Sequence, residues 1–321
     1  MEHEQSVPGF AIKLIPLVRC PREAGELALA EGFAVTPDDP TSVQSGRLFC
    51  QTCGSEYGIS DGILNLLNQD ALDEASANEQ KLRNDEQSTF DDTSSARAHH
   101  EMEMLPTLAA VPLIPGQTIL ELGCGEGRYT RLLAGRAQLL AVDFSIELLR
   151  VLQRHLPPGT SNIGLVLGDI TTLKVQPGRF DYALSTLTSN LPSRSHRESL
   201  YRLACGALAP TGRFVFSSHL QGIHERLTHQ QKSGQYTPGG IYRYNFGLRE
   251  SATEVRPYFE KVDARPIQIY FPFSRTFGLP VVKLSRMLEH VPLVNLLGHL
   301  VLVQASRPRL NVSPSEIIPN V

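Results

Sequence analysis

The stretch Ile119-Leu120-Glu121-Leu122-Gly123-Cys124-Gly125-Glu126-Gly127 constrains this chain more than any other. A short apolar run ends in an acid, and three alternating glycines follow. Arg128-Tyr129-Thr130-Arg131-Leu132-Leu133 then reads as a helix. The pattern predicts a buried strand, a tight turn and a helix start. Such a turn brings backbone N–H groups against a nucleotide-like ligand. Glycine is required because a Cβ would obstruct both the positive φ angles and the close approach of the ligand.

The spacing narrows the ligand. A dinucleotide turn uses G-x-G-x-x-G. Here the third glycine comes one residue early, at Gly127, and Arg128 fills the dinucleotide position. Downstream, Leu139-Leu140-Ala141-Val142 is a buried-strand pattern ending in Asp143-Phe144-Ser145, and Ile163-Gly164-Leu165-Val166-Leu167 leads into Gly168-Asp169-Ile170. Phe180-Asp181-Tyr182-Ala183-Leu184-Ser185 forms a fourth strand, entered through Pro177-Gly178. Residues 199–208 read as a helix, and Pro210-Thr211-Gly212-Arg213-Phe214-Val215-Phe216 as a turn and fifth strand.

An E-x-G-x-G-x-G motif followed by these landmarks resembles the class I S-adenosylmethionine-dependent methyltransferases. The resemblance implies an α/β fold with a Rossmann-like, seven-stranded, mostly parallel sheet, and S-adenosylmethionine as cofactor. It implies that Glu121 faces the amino end of the cofactor's methionine and that Gly123, Cys124, Gly125 and Gly127 make room for it. Cys124 would be a small packing residue in the turn. Asp143, with Phe144, would meet the ribose. Asp169 would face the adenine amino group with Ile170 beside the ring, and Ser185 would complete the set. The acceptor would attack the cofactor's methyl group in line, with the protein positioning the pair and excluding water.

Residues 1–70 are a different object. Leu17-Val18-Arg19-Cys20-Pro21 is followed, after a gap, by Leu48-Phe49-Cys50-Gln51-Thr52-Cys53-Gly54. This resembles the small zinc-ribbon (Trm112-like) module that precedes or partners some methyltransferases. Two Cys-x-x-Cys knuckles would give a tetrahedral thiolate zinc site. The second knuckle is intact, and Glu23 stands where the first needs its second cysteine. Cys20, Cys50 and Cys53 are the candidate zinc ligands. Glu23, His3 and Asp38 compete for the fourth place, against a ribbon that has lost its metal.

Residues 71–115 read as an acidic linker and an N-terminal lid helix, with His99-His100 a solvated pair. Residues 116–306 read as the methyltransferase domain, and 307–321 as a tail. Within that domain, 219–247 is a substrate-loop insertion outside the carboxyl ends of the strands. A helix over 249–259, a strand over 266–271, a helical insertion over 279–297 and a closing strand over 299–305 follow. His219 and His224, just after strand five, are the candidates for a general base, which an acceptor losing its proton early would need.

Composition bounds the partners. Of 321 residues, 41% are hydrophobic and 20% charged, as in a globular chain with a real core. A net charge of −3 gives no global attraction to nucleic acid or anionic membrane. Residues 291–305 are apolar but broken by Pro292, Asn295, Gly298, His299 and Gln304, so no membrane span is expected. Met1-Glu2-His3-Glu4-Gln5 lacks the basic start of a secretion signal, and five cysteines describe no disulfide framework, so a cytoplasmic location is expected. After strand four, Ser185-Thr186-Leu187-Thr188-Ser189-Asn190 replaces the Asn/Asp-Pro-Pro-aromatic motif of many nitrogen methylators of nucleobases and amides. Cys205 lies in a predicted helix, away from a nucleophile's place. A small-molecule oxygen, nitrogen or carbon acceptor is therefore expected first. An RNA-base methyltransferase comes second, and a non-catalytic methyltransferase-fold partner protein third.

Overall fold

The computed structural model describes residues 7–85, 94–157, 159–187, 191, 193–221, 235–236, 242–270 and 280–309. In chain order the N-terminal strands are β1 (Phe10–Ala11), β2 (Val18–Arg19), β3 (Leu27–Leu29), β4 (Ala34–Thr36), β5 (Asp39–Cys50), β6 (Glu56–Ser60) and β7 (Ile63–Asn65). Helices α1 (Glu74–Asp85) and α2 (Ser94–Ala110) follow. The middle of the chain holds β8 (Thr118–Leu122), α3 (Thr130–Leu133), β9 (Gln138–Asp143), α4 (Ile146–Arg154), β10 (Ile163–Leu167), β11 (Lys174–Val175) and β12 (Phe180–Thr186). Then come α5 (Arg194–Ala207), β13 (Leu208–His219), β14 (Gln235–Tyr236), β15 (Tyr242–Arg243), α6 (Leu248–Val255), β16 (Phe259–Ile269), α7 (Val281–Leu288) and β17 (Gly298–Pro308). No helix among the described residues is long and apolar enough to cross a membrane.

The chain packs as two compact units. The first comprises Met1–Ser88, Leu113–Leu184 and Ala207–Ala209; the second comprises Thr89–Pro112, Ser185–Gly206 and Pro210–Val321. The first unit is built on a Rossmann-like parallel layer in the order β10-β9-β8-β12, each neighbour pairing parallel. Burial on both faces explains why these strands read as continuous apolar runs: every residue of β10 is buried, as are all of β9 after Gln138.

The β-rich N-terminal region extends this layer. β7 pairs parallel with β10, Ile63 opposite Leu165, and Leu66 N–H donates to Leu167 O at 2.8 Å. β5 pairs antiparallel with β6, and β6 with β7. Phe10 of β1 is fully buried, and its ring fills the space beside Gly164 of β10. β2 pairs antiparallel with β11, Val18 opposite Val175.

The second unit centres on an antiparallel trio, β13-β17-β16, with Phe216 opposite Val303 and Ile267 opposite Leu300. Its core is aromatic: Phe214 stacks on Phe216 at 4.9 Å and on Phe259 at 6.0 Å, while Tyr201 of α5 tilts against Phe216 at 5.7 Å. α5 and α6 are joined by a buried, two-pronged ion pair. Arg197 Nη2 and Nε donate to Glu254 Oε1 and Oε2 at 2.8 and 3.0 Å, and Tyr201 Oη donates to Oε2 at 3.2 Å. The Arg197 guanidinium also lies over the Tyr244 ring, 4.2 Å from its centre.

Several boundaries differ from the sequence expectation. The helix expected over 199–208 starts at Arg194, and Pro210-Thr211-Gly212 lies inside β13. Pro210 is exposed and precedes the register with β17, which begins at Arg213, so its missing N–H costs no bond to that strand. Phe259 opens β16 and does not close the preceding helix, which ends at Val255. The helical insertion expected over 279–297 is built from α7 and a 3₁₀ turn at Val294–Leu297. Pro292 stands between them, where it denies the helix an N–H and pushes its predecessor from the α region.

Candidate cofactor site

β8, β9 and β10 lie side by side, with Leu122 opposite Val142 and Leu167 opposite Asp143. Glu121, Asp143 and Asp169 therefore stand at the carboxyl ends of three adjacent parallel strands. This is where ligands bind in open α/β sheets. Glu121 is buried, and Thr130 Oγ1 donates to its Oε2 at 2.7 Å. Burial pushes the Glu121 carboxyl up to about 8. Thr130 opposes that shift, and the charge of Asp143 adds to it.

The glycine turn opens directly from β8. Gly123 and Cys124 N–H both donate to Val142 O, at 2.8 and 3.0 Å, which ties the turn to β9. Gly123, Gly125 and Gly127 all have positive φ, at 72°, 54° and 84°. Two of them need glycine for different reasons. A Cβ on Gly125 would point into open space, leaving an uncovered cradle of backbone, whereas a Cβ on Gly127 would strike Leu152 Cδ1 of α4 at 2.0 Å. Cys124 is buried, and desolvation drives its thiol well above the ordinary range, as befits a packing residue.

Asp143 closes the turn. Its Oδ2 accepts from Gly125 N–H at 2.7 Å and its Oδ1 from Ser145 N–H at 2.9 Å. Burial raises its pKa, against the pull of those N–H groups and of Arg83. Ser145 caps α4, accepting from Leu148 N–H at 3.2 Å. Phe144 is half-buried beside Asp143. Asp169 is buried and accepts from Thr171 N–H at 2.9 Å and from Thr171 Oγ1, with Ile170 buried next to it.

Residues beyond the sequence reading complete this neighbourhood. Thr130 is one. The others sit on α1: Gln80 Nε2 donates to Phe144 O at 2.7 Å, and Asn84 Oδ1 accepts from Ser145 Oγ at 2.7 Å. Gln80, Arg83 and Asn84 share one helical face by their i, i+3, i+4 spacing, the only trace of this contact in the sequence.

In the second unit, Ser185 is fully buried, and its Oγ has no hydrogen-bond partner among the described residues. His219 ends β13, half-exposed, and its carbonyl accepts from Phe246 N–H at 2.8 Å. His224 lies outside the described residues. Cys205 is buried on α5, its thiol 3.1 Å from Tyr258 O, as expected of a structural residue.

The N-terminal module gathers its thiols. The sulfurs of Cys20, Cys50 and Cys53 all lie within 4.8 Å of one another, Cys20 and Cys53 at 3.7 Å. Among the described residues that group closes on three cysteines, without Glu23 or Asp38. His3 lies outside the described residues. Tyr57 Oη is 3.0 Å from Cys20 Sγ, and Ser55 Oγ is 3.3 Å from Cys53 Sγ. Ser55, through its hydroxyl and its N–H, lowers the exposed Cys53 thiol to about 7, whereas burial raises that of Cys50.

Residues 119–212 match the family model of a methyltransferase domain. Glu121, the glycine turn, Asp143, Asp169 and Ser185 all fall inside the matched stretch. The chain is 30% identical over 126 residues to the trans-aconitate 2-methyltransferase of Delftia acidovorans, covering 38% of this chain and 45% of that protein. It is 25% identical over 227 residues to the malonyl-[acyl-carrier protein] O-methyltransferase of Priestia megaterium, covering 64% and 79%. It thus spans less than half of the first relative and about four-fifths of the second. A solved S-adenosylmethionine-dependent methyltransferase from Mesorhizobium loti is 19% identical, covering 65% of this chain and 98% of that one at a TM-score of 0.46.

Proposed function

We propose that the protein is an S-adenosylmethionine-dependent methyltransferase acting on a small-molecule acceptor. The observation that carries this reading is the pair of buried acids, Glu121 and Asp143, set against a glycine turn whose Gly125 Cα faces open space. Burying two carboxyls is costly, and their raised pKa values show that Thr130, the turn's N–H groups and Arg83 offset that cost only in part. A ligand bearing an ammonium group and vicinal hydroxyls suits this donor set. Glu121 would hold the ammonium end of the cofactor, and Asp143 its ribose hydroxyls. Asp169 and Ile170 would receive the adenine. When bound, S-adenosylmethionine supplies an electrophilic methyl group for in-line attack by the acceptor. The residues of this chain orient the cofactor and exclude water.

RNA is disfavoured by the net charge of −3, and a small acceptor is favoured by the relative named for trans-aconitate; the other is named for malonyl-[acyl-carrier protein], which is also not a nucleic acid. The test is methyl transfer from labelled cofactor into separate metabolite and total-RNA fractions of a cell extract. Label in the metabolite fraction alone supports the reading, and label in RNA alone overturns it. His219 is the described candidate for a general base; H219A should flatten the pH profile of kcat if it serves as one.

We further propose that the cysteine trio holds zinc. Zinc–thiolate bonds near 2.3 Å in a tetrahedron separate the sulfurs by about 3.8 Å, close to the 3.7 Å between Cys20 and Cys53. A water or Tyr57 would complete the shell. Metal analysis of protein purified without chelator should find zinc, lost in C50A; metal-free wild-type protein would overturn this assignment.

A further inference from the structure

Segment 280–297 of the second unit carries an exposed surface apart from the residues assigned to the cofactor. On α7, Lys283, Arg286 and Met287 recur at i, i+3 and i+4 and are all exposed, so they form one solvent-facing stripe, and His290 just past the helix end is exposed as well. Beyond it, Val291, Leu293, Leu296 and Leu297 are exposed as well. The most prominent are Leu293 at 78% and Met287 at 63% exposure. Isolated exposed apolar residues are ordinary, but this many within one short segment mark an interaction surface.

The exposed charges of the segment itself are of one sign. The segment's sole acid, Glu289, is buried, and it accepts from Gln268 N–H and Ser285 Oγ, both at 3.2 Å. Lys283 and Arg286 therefore meet solvent with no exposed carboxylate from their own segment. They also edge a shallow apolar cleft lined by Leu105, Pro280, Val281 and Val282.

We propose that this surface docks on an anionic lipid bilayer. Met287, Leu293, Leu296 and Leu297 would enter the acyl boundary, while Lys283 and Arg286 pair with headgroup phosphates. Protruding apolar side chains flanked by basic ones are the pattern of an interfacial helix. A fluid bilayer accepts exposed apolar side chains without a matching pocket. A second copy is disfavoured by charge: a two-fold contact sets the same patch against itself, facing Lys283 and Arg286 with their own copies. The proposal is independent of the cofactor reading.

Flotation of the full chain with vesicles tests it. The protein should float with vesicles of phosphatidylcholine mixed with phosphatidylglycerol, more weakly with phosphatidylcholine alone, and less as salt rises. K283E/R286E should weaken partition by roughly tenfold or more, since each basic residue near an anionic surface contributes separately. M287D/L293D should abolish it, with the circular dichroism spectrum unchanged because both residues are exposed. No flotation at low salt, or flotation undiminished in M287D/L293D, would overturn the proposal. So would a concentration-dependent dimer in sedimentation that the same double variant dissolves, which would assign the patch to a second copy. Retention of the wild-type protein, but not of M287D/L293D, by an acidic protein in place of vesicles would equally overturn it.

Discussion

Asp143 Oδ2 accepts the backbone N–H of Gly125 at 2.7 Å, across eighteen residues of chain. That single bond links the end of β9 to the middle of the glycine turn, so the acid that would meet the ribose also sets the shape of the cradle beside it. Loss of the carboxylate should therefore disturb ligand binding twice, by removing a partner and by freeing the turn.

Gly125 and Gly127 separate binding from folding. At Gly127 an added methyl strikes Leu152, so G127A should lose stability by about 1–3 kcal/mol from overpacking alone. At Gly125 the methyl meets nothing in the protein, so G125A should cost only about 1–2 kcal/mol for its positive φ. It should nonetheless weaken S-adenosylmethionine binding by about tenfold or more, equivalent to about 1.4 kcal/mol. Chemical denaturation and calorimetry on the two variants check the contrast.

Glu121 makes stability depend on pH. Its folded pKa, about 8, is above its ordinary value of 4.5, so between these the native state holds a proton that the unfolded chain has released. Its contribution is fully present below 4.5 and is lost as pH rises through about 8. E121Q, which cannot ionise, should flatten that slope in denaturation curves across the window. Binding of a cation beside Glu121 should also release a proton below pH 8. Calorimetry in buffers of different ionisation enthalpy detects that release, and identical binding heats in all buffers would contradict it.

The Arg197–Glu254 pair bears on the second unit. Both side chains are nearly sealed from solvent, at 5% and 9% exposure. R197M strands a buried carboxylate and should cost about 3–5 kcal/mol. Removing both charges in R197M/E254M should return stability to within about 1–2 kcal/mol of wild type, the remainder being the lost partner of Tyr201. Urea denaturation of the single and double variants measures this coupling.

The sequence made visible what local chemistry controls. Glu121, Asp143 and Asp169 stand at strand ends because each closes an apolar run, and the glycines lie at positive φ because the turn admits nothing else. Contacts between distant segments left no such trace. Gln80 meets Phe144 across 64 residues, and β7 pairs with β10 through a parallel register that no periodicity encodes. The entry to β13 was misread for a related reason. Pro210 and Gly212 are turn residues by composition, but a strand start ahead of the β17 register tolerates them equally.

The central claim is that the acids and glycine turn of the first unit form an S-adenosylmethionine site. Isothermal titration of the wild-type chain and D143A with S-adenosylmethionine tests it most directly. Wild type should bind saturably at one site, and D143A should bind more weakly by roughly ten- to a hundredfold, the loss of hydrogen bonds to a charged group. No heat of binding to a folded wild-type protein, or equal affinity in D143A, would contradict it.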